Sequence, residues 1–219
     1  MAEDQTLQLN EAKTPTYRIC AGILRVLSRV LFRPHVTGAQ NIPLDGPVLI
    51  TPIHRSNVDF AFTLFISKRK VFFMAKDSLF RVPLLGPLIT RLGAFPIRRG
   101  TADRESMTLS EEVLRRGHAL VLFPEGTRKE GRAVAPLHDG AMFVASRTHA
   151  KVIPVGIGGS DRAMPLGAKL PRPAKIRIVV GTAIDPPTSE GRVTRSAITA
   201  KSEELRTALE AVYLESLKN

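Results

Sequence analysis

The chain has 219 residues, 43% of them hydrophobic, and a formal net charge of +12. That length buries one substantial core, and no low-complexity linker divides it. A single cysteine, Cys20, excludes an internal disulfide and suits a reducing compartment, while the basic excess asks for an anionic partner: nucleic acid, anionic lipid or a phosphorylated substrate.

The first residues are polar and include Glu3, Asp4 and Glu11, so they form no secretory signal. Segment 16–32 then carries a helical apolar pattern, with Arg25, Arg29 and Arg33 at a four-residue step and Arg18 on the same side. Pro34 closes it. Such a segment reads either as a basic amphipathic helix lying in an anionic membrane surface or as a helix packed on the domain with its arginines in water. No apolar run reaches the roughly 18 residues needed to span a bilayer. The expected organisation is a tail and helix over 1–34 and one domain over 35–219.

Beyond that point strands and helices alternate. Apolar strand-like runs fall at 48–51, 71–75, 93–97, 119–123, 152–157 and 176–184. Helical patterns cover 58–67, 79–91, 104–116, 140–148 and 194–217. Continuous apolar strands between helices predict an α/β fold, a mostly parallel central sheet flanked by helices. Ligands of such sheets bind beyond the carboxyl ends of the strands, and His54, Arg99 and Glu125 each follow a strand closely. The punctuated apolar stretch 83–89 reads as a membrane-dipping segment or as a buried helix start.

His54-Arg55-Ser56-Asn57-Val58-Asp59 holds the clearest chemistry. Histidine is the usual proton-transfer residue near neutral pH, and a carboxylate that orients its ring makes it a base. On one regular helix the two side chains would point about 140° apart, given about 100° per residue. They meet only if His54 precedes the helix and Asp59 lies in its first turn, with Ser56 or Asn57 as N-cap. Three further blocks follow: Gly93-Ala94-Phe95-Pro96-Ile97-Arg98-Arg99, Phe123-Pro124-Glu125-Gly126-Thr127-Arg128 and Val152-Ile153-Pro154-Val155-Gly156-Ile157.

These four blocks, in this order, resemble the glycerolipid acyltransferase family, typified by bacterial 1-acylglycerol-3-phosphate (lysophosphatidic acid) acyltransferases. The resemblance runs from about residue 38 to about residue 186. It implies an O-acyltransferase of phospholipid biosynthesis, moving a fatty acyl group from acyl-CoA or acyl carrier protein to the free hydroxyl of lysophosphatidic acid, with no cofactor. It implies that His54 and Asp59 are the catalytic pair and that Glu125, Gly126, Thr127 and Arg128 bind the acceptor's glycerol phosphate. Arg128 offers a planar fork that matches phosphate, Gly126 permits close backbone approach, and Glu125 accepts from a hydroxyl or positions Arg128. Arg99 is implied as a second phosphate clamp. Lys76 follows a strand and is either a third phosphate contact or an exposed lysine. Val155 and Gly156 read as packing. Two positions depart from the family: Arg98 stands where members carry an acidic residue, and His138 stands where many have lysine. No His/Cys/Asp/Glu set has metal-ligand spacing. The implied partners are a membrane lipid acceptor, the thioester donor and an anionic membrane surface, with the protein peripheral or monotopic on the cytoplasmic face.

Glycerol 3-phosphate and other lysophospholipids are alternative acceptors. Two readings from other classes compete: a lipid hydrolase with Ser56 as nucleophile, against which no Gly-x-Ser-x-Gly elbow stands at Ser56, and a non-catalytic binder of anionic membrane or nucleic acid. With aromatics at 5%, no tryptophan and two tyrosines, little is available for base stacking, and nucleic acid is not expected as a partner.

Overall fold

The apolar runs form strands because each is covered on both sides. In β2 (Val48–Pro52) and β5 (Ala119–Val121) every residue is buried, and in β6 (Lys151–Gly158) all but the first are. The computed structural model describes residues 14–97, 104–189 and 191–218. The other strands are β1 (His35–Thr37), β3 (Val71–Lys76), β4 (Ala94–Ile97) and β7 (Arg177–Val180). They make one seven-stranded sheet in the order β1-β7-β6-β2-β5-β3-β4. From β6 to β4 every pairing is parallel, as expected of strands separated by helices. β7 runs antiparallel to β6, and β1 runs parallel to β7.

The helices are α1 (Pro15–Phe32), α2 (Asp59–Ile66), α3 (Asp77–Phe80), α4 (Leu85–Arg91), α5 (Arg104–Arg115), α6 (Gly140–Thr148), α7 (Ser160–Ala163) and α8 (Arg195–Ser216). α5, α6 and α8 pack side by side, while α1 lies on α2 and α4. The single helix expected over 79–91 is two. Pro83 has no N–H to donate and holds its predecessor out of helical geometry, and Leu84 takes a left-handed φ of 64° between α3 and α4. The three-residue β1 carries no pattern long enough to be read from sequence.

α1 starts where Thr14 Oγ1 accepts from the Tyr17 N–H at 3.2 Å, with Pro15 as first helical residue. Tyr17, Ala21 and Phe32 bury a narrow stripe. The expected division of its faces is corrected in one respect. Two of the arginines turn toward the domain: Arg25 Nε donates to the Leu64 carbonyl at 3.0 Å, and the Arg29 guanidinium lies 5.9 Å from the Phe65 ring centre. The apolar side chains Ile19, Ile23, Val26, Leu27 and Val30 are exposed alongside the arginines, Val30 to 72%. Among the described residues no helix is long and apolar enough to cross a membrane.

β6 sits unusually close to α8. A Cβ on Gly156 would stand 2.3 Å from the Val212 carbonyl oxygen, and one on Gly158 would stand 2.1 Å from that of Ser216. Gly156→Ala must therefore push helix from sheet, and we expect a loss of about 2 kcal/mol, the scale of an overpacked core. A thermal melt should fall by about 4–8 °C; an unchanged melt would show that α8 moves without cost.

Candidate active site

β2, β5, β3 and β4 are consecutive and parallel, so the loops after them leave from one edge of the sheet. His54 follows β2, Lys76 ends β3, and Glu125 to Arg128 follow β5. This edge is where ligands of such sheets bind. Arg99, two residues past β4, and its neighbour Arg98 lie outside the described residues.

His54 stands in the loop and Asp59 is the first residue of α2, the placement that the spacing requires. His54 Nδ1 and Asp59 Oδ2 are 3.0 Å apart. The same Oδ2 accepts from the backbone N–H groups of Arg55 and Ser56, both at 2.8 Å. An oxygen receiving two N–H donors leaves only an acceptor for the ring, so Nδ1 carries the proton and Nε2 presents a lone pair. Asp59 is fully buried, and its other oxygen, Oδ1, has no hydrogen-bond partner among the described residues. As the first residue of α2, Asp59 sits at the positive end of the helix dipole. The His54 ring stacks on Phe123, with centroids 4.0 Å apart and planes at 24°. Its side chain remains 13% exposed. The helix start itself differs from expectation. Val58 occupies the N-cap with no side-chain cap bond, since Asp59 serves the loop N–H groups from inside the helix.

Glu125 is brought to this site and is bound into its framework. It is buried, and its Oε2 meets Arg55 Nη1 at 2.7 Å and the His54 N–H at 3.1 Å. Its Oε1 accepts from the Ala135 N–H at 3.1 Å. Its ion-pair partner in the structure is Arg55. Arg55 in turn donates through Nε to the Gly131 carbonyl at 3.2 Å, through Nη2 to Ala133 at 2.9 Å, and through Nη1 to His54 at 3.1 Å. Lys129 N–H also donates to the His54 carbonyl, at 2.9 Å. Both backbone groups of His54 are therefore held by the loop that carries Glu125. Arg55 is the site residue that motif reading missed. Its signal was present in retrospect: a buried acid at a strand end in so basic a chain needs a buried cation, and the residue after His54 is one.

Gly126 adopts a φ of +71°, and a Cβ there would meet the His138 ring at 2.8 Å. Its glycine is required by both the turn and that ring. His138 is thereby placed against the Glu125–Arg128 turn, with its N–H donating to the Pro124 carbonyl at 3.0 Å. Thr127 and Lys76 are exposed and Arg128 is half-buried. Arg128 and Lys76 have no ion pair among the described residues, which leaves two cations open to an anion on this edge. Ser56 is fully buried, and its Oγ donates to the Met164 carbonyl at 2.9 Å. It is neither exposed nor bonded to His54, so the nucleophile of a hydrolase is not found there.

The chain belongs to the Acyltransferase family, which it matches over residues 33–158. It is 27% identical over 63% of its length to a chloroplastic 1-acyl-sn-glycerol-3-phosphate acyltransferase of Brassica napus, of which it spans 41%. It is 26% identical over 75% of its length to the 1-acyl-sn-glycerol-3-phosphate acyltransferase of Bacillus subtilis, of which it spans 80%. The fold is that of the Thermotoga maritima 1-acyl-sn-glycerophosphate (LPA) acyltransferase, with a TM-score of 0.75 over 92% of this chain and 80% of that one, at 24% identity.

The buried Arg55–Glu125 pair generates a prediction that separates support from substrate contact. Glu125→Gln leaves Arg55 as an uncompensated buried cation and should cost about 3 kcal/mol, seen as a lower urea midpoint. Arg128→Gln, with no ion pair to lose, should leave the midpoint where it is. Equal midpoints for the two variants would place Glu125 outside the supporting framework.

Proposed function

We propose that this protein is an O-acyltransferase that moves a fatty acyl group from an acyl thioester to the free hydroxyl of lysophosphatidate, giving phosphatidate. The observation that carries this reading is the His54 ring, bonded through Nδ1 to the buried Asp59 carboxylate, which leaves Nε2 as the ring nitrogen free to act as a base. The Arg128 fork, without an ion pair among the described residues, is in the loop that leaves from the same edge. The relatives with named activity support the same acceptor. In the proposed step the acceptor hydroxyl gives its proton to Nε2 as its oxygen attacks the thioester carbonyl. The tetrahedral intermediate then collapses, the C–S bond breaks, and the imidazolium returns the proton to the leaving thiolate. Asp59 stabilises the imidazolium between these events. Arg128, with Lys76 and Arg99 as further cations, holds the acceptor phosphate and so brings its hydroxyl to the base.

The assay is product analysis with lysophosphatidate and a long-chain acyl thioester. A new ester supports transfer, whereas free fatty acid alone supports hydrolysis. His54→Ala should lower turnover by about 10²–10⁴-fold, the scale of a lost general base, and Asp59→Asn should be severe but less complete. Arg128→Lys should raise the acceptor KM, because an ammonium cannot supply two parallel donors, with little change in the donor KM. Full activity in His54→Ala would sink the assignment of the base.

An acceptor that lives in a membrane requires the enzyme to reach the interface. The exposed apolar side of α1 is suited to this, and Leu84, 88% exposed, with Val82 and Leu88 extends the exposed apolar surface to the α3–α4 hairpin. Since Arg25 and Arg29 are engaged with α2, the apolar side chains rather than the arginine stripe carry insertion. Replacing Ile23, Val26, Leu27 and Val30 with serine should release the protein from anionic vesicles at any ionic strength. Activity on a short, water-soluble acceptor should survive. Vesicle binding that persists in the serine variant would move the contact to the α3–α4 hairpin.

A further inference from the structure

The edge that carries His54 continues on the other side of β2, over β6, β7 and β1. Because β7 is antiparallel to β6 and β1 follows it, both begin at this edge. The end of α1 arrives there too, and it is fastened: the Leu31 and Phe32 carbonyls accept from the Ala174 and Ile176 N–H groups at 3.1 and 3.0 Å. A cavity of about 910 Å³ opens between these elements and the last turn of α8. That size lies within the range of small-molecule sites, roughly 300–1,000 Å³.

Its walls are cationic. Arg33, Arg132 and Arg162 line it with Lys175, Arg177 and Lys218, and Asp161 is the one carboxylate among the lining residues. None of the six cations has a side-chain hydrogen bond or ion pair among the described residues. Some surface cations elsewhere do pair with nearby acids, as in Arg115–Glu111, Lys201–Glu204 and Arg206–Glu203. The carbonyl ends of α1 and α8 subtract only about half a charge each, so the cavity remains strongly positive. A concavity holding several unpaired like charges repels itself and attracts a multivalent anion.

The cavity also communicates with the catalytic loop. Its wall residues Gly131 and Tyr213 touch Arg55: the Gly131 carbonyl accepts from Arg55 Nε at 3.2 Å, and the Arg55 guanidinium lies 5.1 Å from the Tyr213 ring centre. Arg55 is the chain neighbour of His54. Two strand spacings separate β2 from β7, about 10 Å at about 4.8 Å each. A ligand anchored here by its phosphates reaches His54 with a short extended arm.

We infer that this cavity binds the phosphorylated nucleotide end of a coenzyme A thioester, with the thioester arm running along the sheet edge to His54; the inference rests on the acyl-transfer reading above. The acceptor's phosphate is served by Lys76, which ends β3 on the other side of β2, and by Arg128 in the loop after β5. A lipid headgroup fits less well, because the large apolar side chains exposed on α1 and the α3–α4 hairpin do not line this cavity. An acidic carrier protein would meet a basic surface patch rather than a hollow of this depth.

The test uses the full chain with Arg132, Arg162 and Lys175, all exposed, changed to glutamine. Adenosine 3′,5′-bisphosphate is titrated calorimetrically, with adenosine as the uncharged control. The bisphosphate should bind the unmodified protein, adenosine should not, and the triple variant should bind at least tenfold more weakly. In turnover the variant should show an acyl-CoA KM raised at least tenfold, with kcat and the lysophosphatidate KM unchanged. A second variant, Arg33→Gln with Lys218→Gln, should act in the same direction, and unchanged thermal melts should show that both fold. Bisphosphate binding that ignores both variants overturns the inference. So does a rise in the acceptor KM in place of the donor KM, or a raised KM for acyl carrier protein with no nucleotide binding. The calorimetry needs no turnover: if the nucleotide binds and the variants weaken it while no donor is ever consumed, the acyl-transfer reading fails and the binding site stands.

Discussion

Arg55 and Glu125 meet at 2.7 Å with side chains 1% and 0% exposed. Two charges that far from water are tolerable only when every remaining donor and acceptor is satisfied, since each ion loses several kcal/mol of hydration. The structure meets that condition by wrapping the loop after β5 around the loop after β2. The guanidinium takes the carbonyls of His54, Gly131 and Ala133, and the carboxylate takes the N–H groups of His54 and Ala135. Satisfying the pair is therefore the same act as fixing His54 in space. The His54 ring itself stacks on Phe123 and bonds to Asp59.

From that fixed point the sheet divides its working edge in two. β2 is central, with β5, β3 and β4 to one side and β6, β7 and β1 to the other. Parallel strands bring Lys76 to the edge on the first side, and the loop after β5, which carries Arg128, leaves from the same edge. On the second side a parallel continuation would have put strand starts at the far edge. The reversal of β7 brings instead the start of β7, the start of β1 and the end of α1. The antiparallel strand thus supplies cationic residues such as Arg177 and Arg33 where the parallel pattern could not.

What could be read from sequence follows physical range. The buried strands 48–51 and 152–157 were legible because a strand covered on both faces must be apolar throughout. The His54–Asp59 geometry was legible because helical pitch admits only one arrangement at that spacing. Arg55 was not, since a buried cation and a surface cation look alike until the partner is known, and Glu125 is seventy residues away. The break in 79–91 was marked by Pro83 but masked by the apolar run around it. In α1 the arginine step was visible, but whether arginines or apolar residues face the domain depends on α2, whose Leu64 carbonyl and Phe65 ring engage Arg25 and Arg29.

Among the described residues no hydroxyl or thiol side chain is bonded to the His54 ring, whose one side-chain hydrogen-bond partner is Asp59. Ser56, the hydroxyl nearest in sequence to His54, is buried and donates to Met164. A base without a nucleophile can only activate a group that the substrate brings, so no acyl-enzyme stage is available to hold the acyl group while one substrate leaves and the next arrives. In the proposed reaction donor and acceptor must then be bound together, with the hydroxyl and the thioester carbonyl both within reach of Nε2. Two anchoring regions near one base meet that requirement, and a single anion-binding site would not, because two phosphorylated substrates would compete for it.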